Sequence, residues 1–144
     1  MKSARLRNGD FVLSSSGEIT MATGSERLIQ ELTCWLLESM GTDPVNSKFG
    51  SLLAGMIGTA ILSGAVSDIK TEITRVINNY IAYQNSIMSG YTFDSTTFLK
   101  LYTPDEILSS VENVAVVARQ DAIVVTITIR TLSGNPVSIS QTLS

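Results

Sequence analysis

Apolar positions recur along this chain first with the period of a helix and then, over its last third, with the period of a strand. Leu28, Ile29, Leu32, Leu36 and Met40 share one helical face, with Glu31 and Glu38 on other faces. That spacing predicts an amphipathic helix that Gly41 ends and that either Thr23, in a capping box with Glu26, or Ser25 alone begins. A second and clearer face comprises Val66, Ile69, Ile73, Val76, Ile77, Tyr80 and Ile81, with Lys70, Glu72, Arg75 and Asn78 turned elsewhere. From Val114 the alternation becomes strict: Val114, Val116 and Ala118, then Ile123, Val125, Ile127 and Ile129, then Val137 and Ile139, with Thr126, Thr128 and Arg130 on the other face. Turn residues at Arg119–Asp121 and Ser133–Pro136 make these runs a three-stranded meander.

Shorter elements fill the rest. Phe11 to Ser14 and Glu18 to Ala22 flank a Ser-Ser-Gly turn and predict a small hairpin. Residues 1–9, with Lys2, Arg5 and Arg7, read as a flexible, solvated lead-in. Pro44 and its Asn, Ser and Gly neighbours predict a structured loop. Residues 85–103 keep no settled period but carry Tyr91, Phe93, Phe98 and Tyr102, too many aromatics for a disordered linker, and read as an ordered excursion. Thr103-Pro104-Asp105-Glu106 has an N-cap Thr, Pro at the first helical position and Glu at the capping-box spacing, predicting a short helix to about Ser110. Together these elements describe a single α+β domain over 1–144, a short N-terminal hairpin followed by two to three helices packed on a C-terminal antiparallel β-meander.

One stretch resists that scheme. Phe49 to Ser67 runs nineteen residues without a charge, close to the roughly 20 that a membrane span needs. Eight of the nineteen are Gly, Ser or Thr, so insertion would be marginal. Leu52 with Leu53, Met56 with Ile57, and Ala60 with Ile61 recur every four residues, while Ser51, Gly55, Thr59 and Ser63 form the complementary small row. The pattern predicts a helix with one apolar face and one flat face that another backbone can approach closely.

Composition removes most chemistry. The 144 residues include no histidine, which takes away the usual general base and zinc ligand. Asp105 with Glu106 is explained by capping, Asp68 with Glu72 by a solvated helix face, and Gly50 to Gly58 lacks the lysine of a phosphate loop. No catalytic, metal or cofactor-binding residue is assigned. The net charge of −3, with scattered basic residues, leaves no field for nucleic acid. A lone Cys34 among Leu32, Trp35 and Leu36 predicts a buried thiol. The first residues lack the apolar run of a signal peptide, which implies synthesis and first folding in a cytoplasm.

The order of elements resembles the baseplate wedge proteins of contractile phage tails, the tail-sheath initiators, a lysozyme-like baseplate family shared with type VI secretion baseplates. The likeness rests on Ser16-Gly17-Glu18-Ile19 in the hairpin, Gly24 to Gln30 at the helix start, and Phe49-Gly50-Ser51 with Leu53 after the loop. A Glu-Pro-Arg tripeptide common in that family does not occur here, and no residue is carried over for it. The resemblance implies a non-enzymatic part of the virion tail baseplate, assembled in the host cytoplasm in six copies around the tail hub. Its partners would be other wedge proteins, the sheath protein and the tail tube or hub. A phage is not separated from a bacteriocin or a type VI system by these residues.

Two surfaces then stand out for docking. Phe49, Gly50, Ser51, Gly55 and Thr59 would meet wedge partners. Val137, Ile139, Gln141 and Leu143, on a final strand free of charge, would accept a partner strand, and deleting Val137 to Ser144 would leave a soluble protein. Other classes remain open: a membrane-active protein inserting residues 49–67, or a cytosolic adaptor of the same fold.

Overall fold

The alternation in Ile123–Thr131 decides the architecture. Ile123, Val125, Ile127, Ile129 and Thr131 are buried, whereas Val124, Thr126 and Thr128 are half-buried and Arg130 is exposed. A strand with one buried face must be covered on that side. The computed structural model, which describes residues 3–56, 65–90, 102–119 and 121–143, shows how. Along the chain come β1 (Ser3–Ala4), β2 (Leu6–Arg7), β3 (Asp10–Phe11), β4 (Met21–Ala22), α1 (Gly24–Leu37), α2 (Leu53–Met56) and α3 (Ala65–Gly90). A single 3-10 turn (Pro104–Glu106) leads into β5 (Leu108–Ala118), β6 (Ile123–Thr131) and β7 (Pro136–Leu143).

The last three strands form an antiparallel sheet in the order β5-β6-β7, with α3 against β5 and α1 against β7. Ile69, Ile73, Val76, Ile77 and Tyr80 of α3 meet Leu28, Leu32, Trp35 and Leu36 of α1 over the sheet in one continuous core. Each such fully buried side chain contributes about 1.5–3 kcal/mol. The fold is therefore the α+β layer expected from the two periods. α3 is longer than its pattern: residues 85–90 belong to it, and only 91–101 of the expected excursion, with Tyr91, Phe93 and Phe98, lie outside the described residues.

Four further expectations need correction. The lead-in is paired, Ser3 and Ala4 with Ala22 and Met21, Leu6 and Arg7 with Phe11 and Asp10. The cause is the Asn8-Gly9 turn, whose φ values of 52° and 86° are those a two-residue hairpin demands. Arg5 N–H donates to Thr20 (2.8 Å), Thr20 to Val12 (2.8 Å) and Val12 to Arg5 (3.0 Å), closing a ring among three segments. Second, Thr23 stands at the N-cap of α1, as one of the two alternatives had it, but without the expected capping box: its side chain makes no cap bond, and the Gly24 N–H donates to Glu106 Oε1 at 3.1 Å. Third, α1 ends at Leu37, where Glu38 turns extended, and not at Gly41. Fourth, the predicted helix from Pro104 is one turn, because Ile107 is extended and β5 pairs with β6 from Leu108 onward. Two register shifts before Asn113 break the alternation of β5 and hide its first half in the sequence.

Glu106 ties these pieces together. The expected capping box with Thr103 forms, but the carboxylate, 2% exposed, does more. Oε2 accepts the Thr103 N–H (3.1 Å) and Arg27 Nη1 (3.3 Å), while Oε1 accepts from Gly24. Arg27 also pairs with Glu31 and lies 4.8 Å from the Tyr102 ring centroid. Glu31 accepts the Tyr80 hydroxyl at 2.7 Å, and burial, followed by that carboxylate's charge, pushes the phenol well above its ordinary range. Gln84 donates to Tyr80 (3.0 Å) and to the Glu106 carbonyl (2.9 Å) and accepts the Leu108 N–H (3.1 Å), so α3 is joined to the same knot.

Removing one charge from such a site leaves its partner buried and uncompensated. Glu106→Gln is expected to lower the unfolding free energy by about 3 kcal/mol or more, read from urea titration of both proteins. An unchanged midpoint would remove Glu106 from the role given to it.

Candidate functional site

The residues expected to dock partners divide sharply between the interior and the surface. Phe49 is half-buried and packs edge-on against Trp35, centroids 4.9 Å apart. Ser51 is 3% exposed. Its hydroxyl donates to the Leu36 carbonyl at 2.6 Å, its N–H to the Glu38 carbonyl at 2.8 Å, and its carbonyl accepts the Met40 N–H at 3.0 Å. Carbonyls at the end of α1 have no partner within the helix, and this segment supplies them. Gly50 has φ 94°, and a Cβ there would lie 2.8 Å from the Glu38 carbonyl oxygen. Phe49-Gly50-Ser51 is thus a clasp across the end of α1, and its small residues serve the chain's own backbone. This corrects the expectation of a partner surface at these three positions.

Glu72 and Arg75 of α3 hold the clasp from the other side. Glu72 Oε1 accepts the Leu52 N–H at 2.7 Å and pairs with Arg75, which also donates to the Gly50 carbonyl at 3.3 Å. The Arg75 guanidinium holds the Glu72 carboxyl below its usual range. Gly55 lies on the outside of α2, where an added methyl group would meet nothing within 4 Å. Among the described members of the small row it alone stands on open surface. Thr59, and the helix expected through 57–64, lie outside the described residues.

On β7 the side chains and the backbone have different fates. Val137, Ile139 and Leu143 are 9%, 3% and 7% exposed and belong to the core, and Gln141 is half-buried. Deleting Val137 to Ser144 would strip the core, contrary to the expectation that a soluble protein remains. The backbone edge is another matter. The Thr131 N–H donates to Asn135, so alternate pairs from Ile129 with Val137 to Ile123 with Leu143 exchange ladder bonds. The N–H groups of Ser138, Ser140 and Thr142 consequently point away from β6. Among the described residues no strand pairs with that side.

Beside Gln141 a groove of about 580 Å³ runs along α1, lined by Ile29, Cys34 and Leu37 of that helix and by Leu6 and Gly9 of the N-terminal strands and their turn. Glu26 and Glu38 also line it, and nothing in it is an acid–base pair or a nucleophile with a base. Burial, then the charges of Glu38 and Glu31, pushes the Cys34 thiol up, away from the reactive thiolate. Cys34 is half-buried, less enclosed than its apolar neighbours imply. Among the described residues no three His, Cys, Asp or Glu side chains are placed to hold a metal ion, and no helix is long and apolar enough to cross a membrane.

Compared with known proteins, the chain matches no family model and no curated sequence.

The clasp makes two predictions. Gly50→Ala should destabilise the protein by roughly 2–4 kcal/mol, because it adds both strain at positive φ and overlap with backbone, whereas Gly55→Ala should be neutral or stabilising by up to about 1 kcal/mol; thermal melts of the pair test the contrast. For Glu72 the folded value is depressed, so its contribution is complete above the ordinary 4.5 and is lost as pH falls through the lower folded value. Glu72→Gln should be weaker than the parent by about 2 kcal/mol at neutral pH, and the gap should close in acid; a gap independent of pH would contradict this role.

Proposed function

We propose that this chain is a non-enzymatic assembly subunit that binds a partner by accepting a strand on the open edge of β7, in the manner of the tail-sheath initiators it resembles. The observation that carries this reading is the outward row of Ser138, Ser140 and Thr142 N–H groups on a strand whose sequence holds no Lys and, after Pro136, no Pro. Natural sheets guard such edges with charge, bulges or cover, because an unguarded edge is a template for another chain. Backbone bonds supply the affinity of an added strand, and side-chain pockets beside it supply the selectivity. The groove along α1 lies where alternate side chains of a strand added near Gln141 would reach.

In a baseplate the added strand would come from the sheath protein, and wedge partners would meet the exposed surface at α2, where Leu52, just ahead of the helix, is 53% exposed and Gly55 leaves room for close approach. The order of elements and the Phe49-Gly50-Ser51 step support that assignment through the resemblance alone. The buried carboxylates support a non-enzymatic reading, since each is fully engaged in holding backbone or guanidinium.

Ser140→Pro separates docking from folding. It removes an outward N–H while leaving every bond to β6, so stability should change by about 1 kcal/mol or less. Sheath subunits should assemble on particles carrying the parent chain and fail to assemble on those carrying Ser140→Pro. Normal assembly on the folded variant would overturn strand addition at this edge.

A further inference from the structure

The N-terminal strands carry a second surface. Phe11 and Leu13 alternate on one strand, Ile19 and Met21 on its neighbour, and Leu13 bridges Ile19, so all four side chains stand on one face of the hairpin. Their exposures are 61%, 59%, 50% and 43%. The opposite face holds Val12 and Thr20, half-buried, and Ala22, fully buried. The apolar face is therefore not a core that failed to close: the hairpin buries its small side chains inward and presents its large ones to solvent.

It is also held rigidly. Gln30 of α1 accepts the Leu6 N–H at 2.9 Å and donates to the Ala4 carbonyl at 2.8 Å, and Arg5 pairs with Glu26 at 2.6 Å. The ring of bonds through Arg5, Thr20 and Val12 fixes the three segments relative to one another. A partner would meet this face with little ordering left to lose.

We propose that the face is a self-association surface that joins two copies of this chain. The four side chains expose on the order of 400 Å² of apolar surface on one face, the size of the largest patch on a typical monomer, which is often functional. Two copies stacked face to face bury that area twice, and with a surrounding rim they reach the lower end of specific interfaces, about 1,000–1,200 Å² in total. The face carries no charge, so stacking it on itself meets no like-charge repulsion. Arg7 pairs with Asp10, and by strand alternation both, like Glu18, stand on the side of the hairpin opposite the four apolar residues, so none of these charges is carried into the stacked face. A lipid surface fits less well, because Asp10 and Glu18 offset Arg7.

Sedimentation velocity of the full chain over a concentration series tests this. The parent should pass from monomer to dimer, and Phe11→Glu and Leu13→Glu should each weaken that dimer roughly 100-fold, with melting temperatures unchanged because both sites are solvent-exposed in the monomer. Ser140→Pro should dimerise as the parent does, which separates this face from the β7 edge. A parent that stays monomeric at its highest soluble concentration would overturn the proposal, as would dimers insensitive to both glutamates. Flotation with phosphatidylcholine–phosphatidylglycerol vesicles that Leu13→Glu abolishes, in a parent that is monomeric, would assign the face to a membrane instead.

Discussion

A carboxylate taken out of water must be met by donors on nearly every lone pair, or its desolvation outweighs anything packing returns. Glu106 meets that condition with three groups from two distant segments: the N–H of Gly24 at the start of α1, the guanidinium of Arg27 one turn later, and the N–H of Thr103 ahead of β5. Arg27 and Gly24 lie 79 and 82 residues away in the chain. One carboxylate shared by Gly24, Arg27 and Thr103 sets the entry to the sheet, the first turn of α1 and the exit from the N-terminal strands relative to one another. Gln84 extends the same dependence to α3 through the backbone on either side of Ile107.

That knot also explains what could be read from the sequence and what could not. The two hydrophobic periods give the helices and the meander, because burying one face is a local requirement that every turn of helix or pair of strand residues repeats. The capping box at Thr103 and Glu106 is local too, and it forms. What spacing could not show is that the same carboxylate caps α1: Thr23 and Ser25 stand at the right positions, yet Gly24 finds its acceptor in tertiary structure. The Asn8-Gly9 pair is a local hairpin signal for the first strands, and a reading of residues 1–9 by charge alone passes over it.

The small-residue stretch shows a different limit. Small side chains permit a close approach without saying whose backbone approaches. At Gly50 and Ser51 it is the end of α1, with the carbonyls of Leu36 and Glu38 as the beneficiaries, so the residues that looked most like a docking motif are interior. The alternation through Phe11 to Leu13 and Ile19 to Met21 was equally visible, but alternation does not fix which face turns inward. Here the face with Val12, Thr20 and Ala22 is the buried one, in strands whose neighbours Ala4 and Leu6 are tied to α1 by Gln30.

The two surfaces proposed for binding would adhere by different means. The β7 edge offers directional bonds that any extended chain can accept, so its selectivity must come from neighbouring side chains. The hairpin face offers area without direction, so its selectivity must come from shape. Both are hazards in an isolated protein, where an unguarded edge and an exposed apolar patch each promote non-specific association. The groove along α1 connects them, with Gln141 of β7 on one side and Leu6 and Gly9 of the N-terminal hairpin on the other. A strand laid on β7 near Gln141 would come to lie beside the N-terminal strands, so the two proposed surfaces would border one groove.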